Sequence, residues 1–87
     1  MGMDKQKQAL EKGQAEVRVK RSGMFQVLSF KLVRKDTPLG KVPYLVLDRM
    51  LDLSELMRVS EEYCLPVESP VGKVFPRGKK ETDFLGL

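Results

Sequence analysis

Eighty-seven residues, 41% hydrophobic and 32% charged, describe one small globular domain with room for a single modest core. The absence of histidine and the single cysteine, Cys64, exclude an internal disulfide and the usual tetrahedral zinc sites, and remove the commonest general base. The net charge is +4, no apolar run approaches the roughly 20 residues of a bilayer span, and the opening MGMDKQKQAL lacks the apolar core of a secretory leader; the expectation is a basic cytoplasmic chain with no membrane partner.

Residues 3–12, within an arm over 1–14, favour helix by propensity but offer only Met3, Ala9 and Leu10 as apolar side chains ahead of Gly13. That composition predicts a frayed helical or flexible arm. Residues 15–20 then alternate: Ala15, Val17 and Val19 share one face, Glu16, Arg18 and Lys20 the other, which predicts a half-buried strand. Arg21-Ser22-Gly23 reads as a short turn. Residues 24–33 resume as a strand with apolar groups on both faces, Met24, Leu28, Phe30 and Leu32 against Phe25, Val27 and Val33. Two apolar faces predict a central strand.

Residues 34–41 read as a loop in which Thr37-Pro38-Leu39-Gly40 fits a β-turn. A third strand is predicted over 42–48, with Pro43 tolerated near its start. The clearest helix follows. Asp52 and Glu55 have the spacing of a capping box, and Leu53, Leu56, Met57, Ser60 and Cys64 fall on one stripe with Val59 and Tyr63 beside it. Arg58 lies three or four positions from Glu55, Glu61 and Glu62, and Pro66 stops the run. Pro66, Pro70 and Pro76 punctuate the next stretch, where residues 71–75 allow one short edge strand. The predicted architecture is α+β: a small antiparallel three- to four-stranded meander over residues 15–76 with one amphipathic helix on one face, followed by a polar tail at 77–87.

The charge is unevenly spread. Residues 1–23 hold six basic and three acidic groups, residues 24–47 four and one, residues 48–66 two and five, and residues 67–87 four and three. The basic side chains of the hairpin, Arg18, Lys20, Arg21, Lys31, Arg34 and Lys35, could meet phosphates at strand spacing, and Lys73, Arg77, Lys79 and Lys80 lie in a second basic segment that contains Phe75. The same lysines also suit a merely solvated face that discourages aggregation. Asp48 and Asp52 read as a strand end and a helix cap rather than a metal or acid–base pair, and Cys64 as a small buried hydrophobe. No phosphate loop, small-molecule site or cofactor motif is present. The expected role is therefore non-enzymatic binding, leaning to sequence-independent contact with DNA or RNA. The alternative is a protein-interaction subunit or homodimer that uses sheet edges and the apolar end of the tail, Phe84, Leu85 and Leu87.

Overall fold

The computed structural model describes residues 2–87, so Met1 of the expected arm lies outside the described residues, as does the side chain of Met3. Helix α1 (Gly2–Lys12) leads into β1 (Gln14–Arg21), β2 (Met24–Thr37) and β3 (Gly40–Val46). Helix α2 (Leu53–Tyr63) then crosses over to β4 (Val67–Ser69) and β5 (Gly72–Val74), and a 3₁₀ turn spans Glu81–Phe84. The sheet runs in chain order, β1 to β5, with every pair antiparallel except β3 and β4. That parallel pair needs a crossover, and α2 supplies it.

The fold is α+β, with corrections in number. Among the described residues there are two helices rather than one and five strands rather than three or four, and the sheet is mixed rather than antiparallel throughout. The expected arm forms α1, whose Ala9 is buried against the rest of the core. Strand β4 has no signal in the sequence because three residues between two prolines carry no readable period. The loop expected over 34–41 is mostly strand. β2 continues to Thr37 and β3 begins at Gly40, so only Pro38 and Leu39 form the turn.

The β1–β2 hairpin follows from its alternation and its turn. Ser22 and Gly23 both take positive φ, 52° and 79°, which is what a two-residue turn of the mirror-image type requires. That turn sets Arg21 opposite Met24, and hence Lys20 opposite Phe25 and Arg18 opposite Val27. Pro43 sits inside a central strand without losing a hydrogen bond. The amides of Leu45 and Leu47 point to the β4 side and bond Pro66 and Glu68, both at 2.9 Å. By the two-residue period the Pro43 nitrogen points the same way, at a level where β4 has not yet begun.

One face of the sheet, built from Ala15, Val17, Val19, Leu28, Phe30, Leu45 and Val67, is buried with Leu56 and Val59 of α2 in a single core. The apolar stripe of α2 is rotated from its predicted setting. Leu56, Val59 and Ser60 are buried, whereas Leu53 is 58% exposed and Cys64 is only half-buried. Cys64 is the left-handed cap, φ 52°, and its amide returns to the Ser60 carbonyl. The Ser60 hydroxyl donates to the Leu65 carbonyl at 2.7 Å, which satisfies a buried polar group at the helix exit. The capping box does not form. Asp52 makes no side-chain cap bond, and the Glu55 carboxylate is used elsewhere.

The segment after Pro76 crosses to the other face. Tyr44 is fully buried there, with Phe75 edge-on at 6.2 Å and its hydroxyl donating to Glu81. Burial and that bond both push the Tyr44 pKa up. Phe84, 2% exposed, completes the cover, so the expected polar tail is partly core. Leu56→Ala should cost about 3 kcal/mol in urea denaturation, because it opens a cavity in the core, while Leu53→Ala should cost about 0.5 kcal/mol or less.

Candidate functional site

The second sheet face is covered only in part. The Pro76 segment shelters Tyr44 on β3, but over the hairpin Phe25 is 62% exposed and Val27 is 64% exposed. β3 ends its pairing at Lys31 opposite Val46, so the Met24–Phe30 stretch of β2 has β1 on one side and no strand on the other. The hairpin is thus an overhang, and the long dimension of the molecule, 39 Å against 25 and 22 Å, is in keeping with it.

Register places Glu16, Arg18 and Lys20 of β1 on this face beside Ser29, Val27 and Phe25 of β2. Lys31 and Lys35 continue the line along β2, and Lys73 joins from β5 on the row Lys31–Val46–Glu68–Lys73. Five of the ten basic residues singled out from the sequence therefore share one sheet face, and they differ in how they are engaged. Lys35 pairs with Glu68, Lys73 lies 3.9 Å from the same carboxylate, and both ammonium groups sit over the Tyr44 ring at 5.8 and 5.1 Å. Arg18, Lys20 and Lys31 make no ion pair among the described residues. The Arg18 guanidinium instead lies 4.5 Å from the centre of the Phe25 ring, a cation–π contact.

The other five lie elsewhere. Arg21 is half-buried at the hairpin tip, on the helix-side parity of β1. The Arg34 Nε donates to the Leu87 carbonyl at 3.1 Å and is spent on holding the end of the chain. Arg77 approaches Glu61 of α2 at 3.8 Å, on the helix side. Lys79 and Lys80 are exposed just before the 3₁₀ turn, where the Lys80 amide donates to Asp83. The basic groups thus neither converge entirely nor scatter: Arg18 and Lys20 stand together, Lys31 follows on the same face roughly 20 Å along β2, and the 77–80 group stands apart from them.

Two further residues adjoin these cations, Phe25 beside Arg18 and Lys20 and Arg49 near Lys31, and the sequence pattern assigns neither. Phe25, expected to be covered as part of a central strand, is bare. Arg49 joins Val27, Ser29, Lys31, Val46 and Asp48 around an open depression of about 450 Å³. A signal for Phe25 does exist: a two-residue turn after Arg21 makes Phe25 the neighbour of Lys20 on the polar face. Arg49 sits in an irregular loop, and no period reaches it.

Helix α2 holds the scaffold of this site through the free edge of β1. Glu55 accepts the Lys20 amide at 2.8 Å, and Arg58 Nη2 donates to the Arg18 carbonyl at 2.6 Å. Arg58 is itself held by Glu55 and Glu62, and Glu62 also pairs with Lys5 of α1. The acidic helix is therefore largely neutralised within the molecule, unlike the cations across the sheet. A strand edge left open invites foreign strands; here a carboxylate and a guanidinium occupy it. No known family model, curated protein or solved structure matches this chain at a significant level. Among the described residues no group of three metal-ligating side chains gathers, and no helix is long and apolar enough to cross a membrane.

The Lys20 amide, and next the Arg58 guanidinium, hold the Glu55 pKa below its ordinary value. A depressed carboxylate pKa stabilises the fold above the unfolded-state pKa, and that stability is lost as pH falls through the folded-state value. Glu55→Gln should therefore cost about 1 kcal/mol or less at pH 7, and the gap to the parent should close in acid below the ordinary carboxylate range, as measured by urea midpoints across pH.

Proposed function

We propose that this chain is a nucleic-acid-binding module that works by contact rather than catalysis, using the outer face of the β1–β2 hairpin. One observation carries the reading: among the described residues Arg18, Lys20 and Lys31 have no ion-pair partner, the first two beside the exposed Phe25 ring and Lys31, roughly 20 Å further along β2, at the open depression it shares with Asp48 and Arg49. Lys20 and Arg18 are two residues apart on one face, about 7 Å by strand geometry, a spacing suited to successive phosphates of an extended strand. Cations at strand spacing beside one ring suit the phosphate backbone and the faces of bases, which every sequence carries, so we read the binding as independent of sequence. Glu16 lies on the same face and opposes phosphate, which keeps such binding moderate.

Three phosphate contacts to a single strand imply a log–log salt slope of roughly −2. Fluorescence anisotropy with labelled oligonucleotides at several salt concentrations should show this slope. Arg18→Ala, Lys20→Ala and Lys31→Ala should each flatten it by about 0.7, and Glu16→Gln should raise affinity. Arg77→Ala should leave the slope unchanged. A flat titration with both single and double strands would end the reading.

A specific feature favours a second reading, self-association. The β1–β2 turn, the β3–α2 connection and the β4–β5 turn all lie at one end of the sheet, and with them the exposed Met24, Met50, Leu53 and Val71. Arg21, Ser22, Met50, Leu51, Leu53 and Val71 line one shallow hollow there. An exposed apolar group of this kind is a common mark of an interface. On this reading the protein sediments as a dimer and Leu53→Asp or Met50→Asp returns it to a monomer. A parent chain that stays monomeric at high concentration removes it.

A further inference from the structure

We infer that the Arg18–Phe25 pair is a stacking site for one unpaired nucleobase, so that the hairpin face takes single-stranded RNA or DNA in preference to duplex; this rests on the nucleic-acid reading and names its substrate class. Exposure is the first ground. Phe25 is 62% exposed although its own strand carries Leu28 and Phe30 at 5% and 0%. The ring lies beyond the Pro76 segment and lines an open hollow at the β1 edge with Arg18, Glu16, Arg58, Glu62 and Tyr63, where it offers a flat apolar surface to a ligand that brings its own flat surface. Every nucleobase has a π-face, so stacking on an aromatic ring tolerates any sequence.

Charge then selects a nucleotide over a simple aromatic. The Arg18 guanidinium lies 4.5 Å from the Phe25 ring centre, and Lys20 is the direct cross-strand partner of Phe25. A base stacked on Phe25 would have its phosphodiester within reach of both cations. A planar guanidinium can also stack on the base itself, which a lysine cannot do. The Arg18 backbone is held from behind by Arg58, itself held by Glu55 and Glu62, so the side chain projects from a fixed point. A duplex keeps its bases stacked inside and can offer this ring only its backbone, which leaves the Phe25 contribution unused.

The chain contains no tryptophan, so Phe25→Trp places a single fluorescent indole at the proposed contact. The exposure of the site makes the exchange tolerable, and Phe25→Leu provides a second variant that keeps the apolar bulk without the ring. Oligo(dT) and oligo(U) should quench the emission of that indole, whereas inorganic polyphosphate, which carries charge without bases, should bind without quenching. Phe25→Leu should weaken single-strand binding about tenfold and leave duplex binding unchanged. Arg18→Lys should weaken single-strand binding while preserving the salt slope. If oligonucleotides bind in anisotropy with no quenching, and Phe25→Leu binds them as the parent does, the stacking site is wrong and the electrostatic reading stands. If neither single strands nor duplex bind the parent chain, both readings fall together.

Discussion

A five-stranded sheet has two faces, and this chain has material to cover only one and a half. The two helices lie against the face built from Val17, Val19, Phe30 and Leu45. The segment after Pro76 reaches the other face only at β3, where it seals Tyr44 with Phe75 and Phe84. A domain this small cannot bury more, because its surface is large relative to its volume. The part left uncovered is the outer side of the hairpin, and its side chains divide accordingly: Tyr44 and Val42 behave as core, while Phe25 and Val27 on the same side of the sheet meet solvent.

That shortage of cover makes the β1 edge the point of risk, and α2 answers it with charge. Glu55 takes an amide of the strand and Arg58 a carbonyl two residues away, so the helix attaches to the edge as well as packing on the face. Two of the residues that look in the sequence like surface ion-pair partners on one helix are thus tertiary ties. The helix uses up its carboxylates on Arg58, Lys5 and Arg77, and across the sheet Arg18, Lys20 and Lys31 have no ion-pair partner among the described residues.

The functional proposal follows from this arrangement rather than from the net charge. A surplus of four positive charges says little about where a polyanion would sit. Half of the basic groups singled out from the sequence prove to be on one sheet face: two of those are engaged with Glu68, Arg18 and Lys20 are left beside Phe25, and Lys31 stands further along β2. Arg34 and Arg77, equally basic in sequence, are tied to Leu87 and Glu61. An electrostatic surface is a matter of which cations lack partners, and the partners of Lys35 and Arg34 lie 33 and 53 residues away in the chain.

Local chemistry was legible wherever a period or a turn rule operated. Alternation over 15–20 marked β1 and its wet side, Ser22-Gly23 marked the hairpin, Thr37-Pro38-Leu39-Gly40 marked the next turn, and the apolar spacing near Leu56 marked α2. Those signals depend on neighbours in the chain, and they established an α+β domain with a basic hairpin. What the tertiary structure alone decided was which faces were covered. Strand β4 exists because β3 and α2 give three residues a partner, Leu53 is exposed because the helix turned to seat Val59, and Phe25 is bare because the final segment ends its cover at Tyr44. Periodicity tells a side chain which side of its own strand it occupies; whether anything lies on that side depends on distant residues, which no local pattern records.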